Sequence, residues 1–240
     1  MKVAAILPAA GLGTRMGKAS ETGTRKQWIE LAGTPVVIHT LRRFDEASSI
    51  DEMVVALREE DRAPLEQHLA EESFSKSIRL VDGGRTRQES VQNGLAAVSP
   101  DVSIVSVHDA VRPLISVELI DRSVEQALAD GAVILGLPAV DTVKRVDQKV
   151  VHATLPREMI MLAQTPQVFQ ADLLRRAYAK AAEDGFTGTD EASLVEHLGE
   201  DVHVMLGSPH NIKITRPEDL ALAEFYLSSE APDDGAATSQ

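Results

Sequence analysis

The 240-residue chain contains no cysteine. Disulfide frameworks, thiolate zinc sites and cysteine nucleophiles are thereby excluded, and the seven histidines show no spacing that suggests zinc. No apolar run approaches the roughly 20 residues that a membrane helix requires. The start, Met1-Lys2-Val3-Ala4-Ala5-Ile6-Leu7-Pro8, has too short an apolar region for a signal peptide, so a soluble, cytoplasmic protein is expected. Positive charge is scarce too. With 24 Lys and Arg against 37 Asp and Glu the net charge is −13, which repels nucleic acid and anionic membranes over most of the surface. Against that background a basic cluster is a local feature with a local purpose.

What is present begins with alternation. Apolar runs of strand length lie at Val3 to Leu7, Met53 to Leu57, Ile78 to Val81, Val102 to Val107, Ala132 to Leu137, Val202 to Leu206 and Ile212 to Ile214. Between them, sets such as Leu119, Val124, Leu128 and Leu173, Leu174, Ala177 repeat at helical spacing. The pattern predicts an α/β fold, and runs without polar alternation fit a largely parallel sheet covered on both faces. Thr86-x-x-Glu89 and Thr215-x-x-Glu218 read as capping boxes. Residues 141–158 carry two short β-prone stretches around Asp147-Gln148-Lys149 and read as a projecting hairpin arm. Its apolar residues need a surface, either another subunit or the arm's own domain. One domain over residues 1–227 is expected, followed by a small, polar, disordered tail at 228–240.

The first strand empties into a loop with Gly11 and Gly13 and the cations Arg15, Lys18, Arg25 and Lys26. Glycines let backbone N–H groups approach an anion, so this is the layout of a phosphate cradle. It fails both familiar counts. A dinucleotide fingerprint would need glycine where Met16 stands, and a Walker loop would need four residues between Gly13 and Gly17 and Ser or Thr after Lys18. The strand ending at Val107 delivers His108-Asp109-Ala110-Val111-Arg112 to the same crevice, because ligands of open α/β sheets sit beyond the carboxyl ends of strands. Asp109 is suited to Mg²⁺, which binds one or two carboxylates plus substrate phosphates; a turn-capping Asp is the plainer reading.

These segments, with others downstream, resemble 2-C-methyl-D-erythritol 4-phosphate cytidylyltransferases. The likeness rests on Pro8-Ala9-Ala10-Gly11-x-Gly13-x-Arg15-Met16 with Lys26-Gln27, Asp82-Gly83-Gly84-x-x-Arg87-x-x-Ser90-Val91, and Val107-His108-Asp109-Ala110-x-Arg112-Pro113. It continues through Asp141-Thr142-x-Lys144, Gln164-Thr165-Pro166-Gln167, Thr189-Asp190-Glu191-Ala192-Ser193 and Asn211-Ile212-Lys213-x-Thr215. The resemblance implies a Rossmann-like fold of the nucleotide-diphospho-sugar transferase type and CMP transfer from CTP to methylerythritol phosphate, with pyrophosphate released, in the non-mevalonate isoprenoid pathway. By motif, the backbone of Ala9, Ala10, Gly11 and Gly13 would wrap the triphosphate. Arg15 and Lys26 would stabilise charge at the α-phosphate, and Lys213 would act near the metal and triphosphate. Gly83, Gly84, Arg85, Ser90 and Ala110 would hold CTP; Asp109 would ligate Mg²⁺. Arg112, Thr142, Thr165, Thr189 and, from a dimer partner's arm, Arg157 would bind the acceptor.

The residue types suit that reaction. One phosphate attacks another, so repulsion must be neutralised and the nucleophile held in line. No general base is needed, because a phosphate monoester, with a second pKa of about 6, is already largely ionised. Two other readings stay open: a ribitol 5-phosphate cytidylyltransferase, and a nucleotide-binding module without turnover. Thr189-Asp190-Glu191 also reads as a helix N-cap with first-turn acids. Arg85 stands where relatives can carry an acid.

Overall fold

Strand β1 (Lys2–Pro8) is an interior strand of a seven-stranded sheet and delivers the glycine loop to the carboxyl edge of that sheet. The computed structural model describes residues 1–11 and 26–230, the side chains of Lys26 and Glu230 excepted. Gly13, Arg15, Lys18, Arg25, the Lys26 side chain and tail residues 231–240 lie outside the described residues.

Beside a two-residue pair, β2 (Glu30–Leu31) with β3 (Thr34–Pro35), the order across the main sheet is β11 (His203–Leu206), β7 (Ala132–Pro138), β10 (Met161–Gln170), β6 (Val102–Val107), β1, β4 (Glu52–Leu57) and β5 (Ser77–Asp82). All neighbours are parallel except β10, which runs antiparallel to both β6 and β7. Successive residues of a strand face opposite sides, and β1 uses this fully. Val3, Ala5 and Leu7 join one core with Ile38, Leu41 and Phe44 of α1 (Val36–Glu46), Leu65 of α2 (Glu59–Glu71) and Ile120 and Val124 of α4 (Val117–Asp130). Ala4 and Ile6 join a second with Val91 and Leu95 of α3 (Arg87–Ala97), Leu174 and Tyr178 of α5 (Ala171–Asp184) and Leu194 of α6 (Glu191–Leu198). Each fully buried Ile or Leu contributes about 1.5–3 kcal/mol. The mostly parallel sheet covered on both faces is as the apolar runs predict.

Three elements differ from the sequence reading. Strand β10 is interrupted by the polar stretch Gln164-Thr165-Pro166-Gln167; Gln164, Thr165 and Gln167 are nonetheless buried, and the ladder to β7 breaks between Gln164 and Gln167. Pro166, lacking an N–H, fits a strand only at such a break. Ile212–Ile214 forms no strand: Ile214 packs with Leu31, Val36 and Leu114, and its N–H bonds Val111 O at 2.9 Å. Helix α1 opens on Val-Val-Ile, which reads as β-prone, yet Val37, Leu41 and Phe44 share one buried helical face.

Thr86 caps α3 as expected, its Oγ1 accepting from Glu89 N at 3.0 Å. At Thr215 the acid is Asp219 rather than Glu218, because α7 (Pro217–Glu230) starts one residue later than the box requires; Asp219 accepts from the N–H groups of Thr215 and Arg216. Helix α7 also continues through residues 228–230 of the expected tail. The hairpin forms from β8 (Val143–Asp147) and β9 (Val150–Leu155), turning at Gln148 and Lys149 with φ of 46° and 68°. Two positive φ angles match the twist of a two-residue hairpin turn. Among the described residues no helix is long and apolar enough to cross a membrane.

Candidate active site

A cavity of about 220 Å³ opens beyond the carboxyl ends of β1, β4 and β6. Its floor is Pro8 to Gly11. The carbonyls of this segment are tied away from it: Gln27 Nε2 donates to Ala9 O at 2.8 Å and Arg58 Nε to Ala10 O at 3.0 Å. Gly83 is demanded by packing, since a Cβ there would stand 2.3 Å from the Ala10 Cβ. Gly84 is equally confined, with Glu89 Cβ 2.1 Å from where its own Cβ would be. Ser90 is buried; its Oγ accepts Gly84 N–H at 3.0 Å and donates to Thr86 O at 2.8 Å, so it holds the double-glycine turn on α3. Arg85, at the rim of the cavity, sends its side chain to solvent, where it pairs with Glu89, and its N–H donates to the same carboxylate.

Asp109 and Ala110 form the facing wall. The Asp109 carboxylate meets Arg87 Nε at 3.1 Å, Lys213 Nζ at 2.7 Å and Arg112 Nε at 3.8 Å. Burial alone would raise its pKa; Arg87, Lys213 and Arg112 more than offset this and hold it well below the usual carboxylate range. Among the described residues Arg58, Arg87 and Lys213 give the lining three cations against one carboxylate, on a chain of net charge −13. A low-dielectric cleft lined by one sign of charge concentrates ligands of the other, so the lining suits a polyanion.

Among the described residues no three His, Cys, Asp or Glu side chains could hold a metal between them. A closed all-protein cage is therefore absent from this region. The donor set does fit Mg²⁺ held by one carboxylate and completed by phosphate oxygens and water: Asp109 is ionised, lines the cavity, and accepts one close hydrogen bond per oxygen, which leaves each oxygen further lone pairs.

Beneath the cavity a polar network fixes this wall. His108 Nε2 faces Arg112 O at 3.1 Å, an atom that can only accept, so Nε2 bears the proton and the bare Nδ1 accepts from Thr165 Oγ1 at 3.1 Å. Thr165 Oγ1 in turn accepts Asp109 N–H at 3.1 Å. Arg112 is buried and donates to Asn211 O at 2.7 Å, and Asn211 donates to Thr165 O at 2.8 Å. These bonds lock the segment carrying Lys213 against the end of β6. Arg112 and Thr165 thus lie just behind the lining rather than in it. Thr189 is exposed; the N-cap of α6 is Asp190, which forms a capping box with Ser193. Thr142 and Arg157 sit exposed on the arm, Arg157 donating to Val140 O at 2.7 Å, and neither lines the cavity of its own chain.

The family model for 2-C-methyl-D-erythritol 4-phosphate cytidylyltransferase matches residues 3–229. The chain belongs to this family. It is 50% identical over 238 residues to the 2-C-methyl-D-erythritol 4-phosphate cytidylyltransferase of Solibacter usitatus, covering 96% of this chain and 98% of that one. Identity to the cytidylyltransferase of Acidobacterium capsulatum is 53% over 233 residues, with 95% and 98% covered. Among solved structures, the 4-diphosphocytidyl-2C-methyl-D-erythritol synthase of Anaerococcus prevotii superposes with a TM-score of 0.82 at 33% identity, covering 95% and 98% of the two chains. The Thermus thermophilus cytidylyltransferase gives a TM-score of 0.76 at 35% identity, with 95% and 100% covered.

Three polar lining residues of this cytidylyltransferase received no role from the sequence: Gln27, Arg58 and Arg87. Arg58 stands one residue beyond the carboxyl end of β4. The rule that singled out Asp109 beyond β6 would have found it. Gln27 and Arg87 were visible only as letters within motifs, because their work is to hold other groups.

Proposed function

We propose that the cavity receives CTP on the Pro8–Gly11 floor with its triphosphate toward Asp109 and Lys213. As a member of its family the chain is a cytidylyltransferase, transferring CMP from CTP to 2-C-methyl-D-erythritol 4-phosphate for isoprenoid synthesis, with release of pyrophosphate. The observation that carries the assignment to this cavity is the pairing of Arg87 and Lys213 with one ionised carboxylate at the ends of the central strands, with Arg58 in the same lining.

Asp109 would hold Mg²⁺, which when bound supplies charge neutralisation on the triphosphate and polarisation of its α-phosphoryl oxygens. The chain's own groups do the rest. Backbone amides of Ala10 and Gly11 face the anion while their neighbours' carbonyls are engaged by Gln27 and Arg58. Lys213, paired to Asp109 at 2.7 Å, brings a compact positive charge to the point where anionic acceptor and α-phosphate meet. Arg15 and Lys26 are assigned the same task by their motif. No side chain needs to take a proton, since the acceptor phosphate already carries negative charge.

The acceptor side is completed by a second copy. Val140, Val146, Val150, Val151 and Met159 are exposed on and around the arm, and Val204 and Leu206 are exposed on edge strand β11. Exposed apolar side chains clustered on an arm are the kind of surface that marks an interaction site, and a two-fold dimer buries the same surface on both copies. The arm then carries Thr142 and Arg157 to the partner's cavity, where their motifs assign them to the acceptor together with Thr189 and with Arg112 and Thr165, the last two lying just behind the lining. The assembly works in the cytoplasm.

Purified protein with Mg²⁺ should release pyrophosphate from CTP only when methylerythritol phosphate is added. Preference for ribitol 5-phosphate would select the polyol phosphate reading. Nucleotide binding without pyrophosphate under any acceptor would reduce the chain to a binding module.

A further inference from the structure

Glu191 is a charged side chain that is only 1% exposed, in the helical core of the molecule. Both of its oxygens accept from Arg87 Nη1, at 2.8 Å each, and Tyr178 OH donates to Oε1 at 3.2 Å. It is the first residue of α6, where the helix dipole favours a negative charge. Three helices therefore meet on one carboxylate: α3 through Arg87, α5 through Tyr178 and α6 through Glu191 itself. Buried ion pairs are weak stabilisers, often matched by apolar residues of the same volume, so the fold has little to gain from this one.

Its geometry toward the cavity supplies a reason. Arg87 grips Glu191 with Nη1 and reaches Asp109 Oδ1 with Nε alone, at 3.1 Å. The strongest arrangement open to an isolated arginine and carboxylate is a fork, two N–H groups on two oxygens. A fork between Arg87 and Asp109 would put a guanidinium N–H on Oδ2 as well as Oδ1, in competition with Lys213, whose Nζ holds Oδ2 at 2.7 Å. Burial opposes the positive charge of Arg87, and Glu191 is the larger of the two carboxylate influences that offset it.

We propose that Glu191 is a positioning residue which, by holding Nη1, restricts Arg87 to a single bond on Asp109 and keeps the rest of that carboxylate available to Lys213 and a divalent cation. The inference rests on the reading of Asp109 as the metal ligand. Groups that orient a metal ligand from behind typically change metal affinity or activity by about 10- to 100-fold when removed.

The test uses the full-length protein with CTP and no acceptor, titrated with Mn²⁺ and read by electron paramagnetic resonance. Glu191→Gln keeps size and removes the charge that competes for Arg87; it should weaken Mn²⁺ binding to the enzyme–CTP complex by about 10-fold or more. In turnover the half-saturating Mg²⁺ concentration should rise in step, with the acceptor KM little changed. Tyr178→Phe, which removes one hydrogen bond and no charge, should shift Mn²⁺ binding in the same direction by less, and it carries the test if Glu191→Gln fails to fold. Wild-type Mn²⁺ binding in the folded variants, whatever their loss of thermal stability, would overturn the proposal. Asp109→Asn separates the two readings. If it loses Mn²⁺ while Glu191→Gln keeps it, this inference alone fails; if Asp109→Asn binds Mn²⁺ normally, the metal reading falls and takes the inference with it.

Discussion

The cavity wall and the hairpin arm, proposed as two halves of one site, are built in opposite ways. Around Asp109, every functional group is cross-bonded to neighbours from distant parts of the chain: Arg87 to Glu191, Thr165 to His108, Arg112 to Asn211, Lys213 to Asp109 itself. On the arm, β8 and β9 bond mainly to one another, and Thr142 and Arg157 are exposed. The wall proposed for the nucleotide is thus preorganised within one chain, whereas the arm residues proposed for the acceptor have no walls of their own. Preorganised charge costs no reorganisation when the reaction begins. Groups left exposed on an arm must borrow their rigidity from whatever the arm packs against.

The sharpest way to break this contrast is to strike the rigid half. Lys213→Ala removes a charge at a wall that is otherwise locked, so the fold should hold, as near-unchanged circular dichroism would show. Turnover should fall by about 10²- to 10³-fold, the usual effect of losing one preorganised charge donor, with pyrophosphate release as the measurement. A loss below threefold would place Lys213 outside the chemistry.

The arm gives the next largest effect and a test of which cavity it serves. Arg157→Ala should raise the acceptor KM by about 10- to 100-fold, the range of a lost charged hydrogen bond, while CTP binding stays intact. Mixing that variant with Asp109→Asn and allowing subunits to exchange sharpens the point. If each arm serves the partner's cavity, a mixed dimer has one site with both defects and one with neither, so about a quarter of all sites become whole. If each arm serves its own cavity, every site keeps a defect and activity stays at the level of the separate variants.

The same contrast explains what the sequence made legible. Sheet, glycine turn and hairpin could be read because each has a local signature: apolar runs, Gly83-Gly84 with a capping threonine, and two β-prone stretches about a polar turn. Strand β10 and the 211–215 segment could not, because polar residues such as Gln164 and Asn211 are buried there by partners far along the chain. Helix α1 hid behind β-branched residues whose helical face emerges only against β1 and β4. At the site, Asp109 was legible from its place at a strand end, while Arg87 and Glu191 were not: a buried pair 104 residues apart leaves no spacing to read.

The smallest effect concerns the foundation of the wall. His108 is fully buried against Phe44, with Asp109, Arg112 and Thr165 as its polar neighbours. Burial lowers its pKa from 6.5 to about 4, the Arg112 carbonyl and the Asp109 charge offsetting only part of that loss. The unfolded chain therefore takes up a proton as pH falls below 6.5, whereas the folded one stays neutral until about 4. Stability supplied by this histidine is complete above pH 6.5 and is lost as pH falls toward 4, by about 2 kcal/mol between pH 7 and pH 5. Urea unfolding of wild type and His108→Gln at those two pH values isolates the effect. The variant starts less stable at pH 7, because it gives up the bonds that orient Thr165 beneath Asp109, but its decline to pH 5 should be smaller by about 2 kcal/mol. Equal declines would mean that His108 is charged inside the folded wall, which would turn its Nδ1 into a donor and free the Thr165 proton to face the cavity.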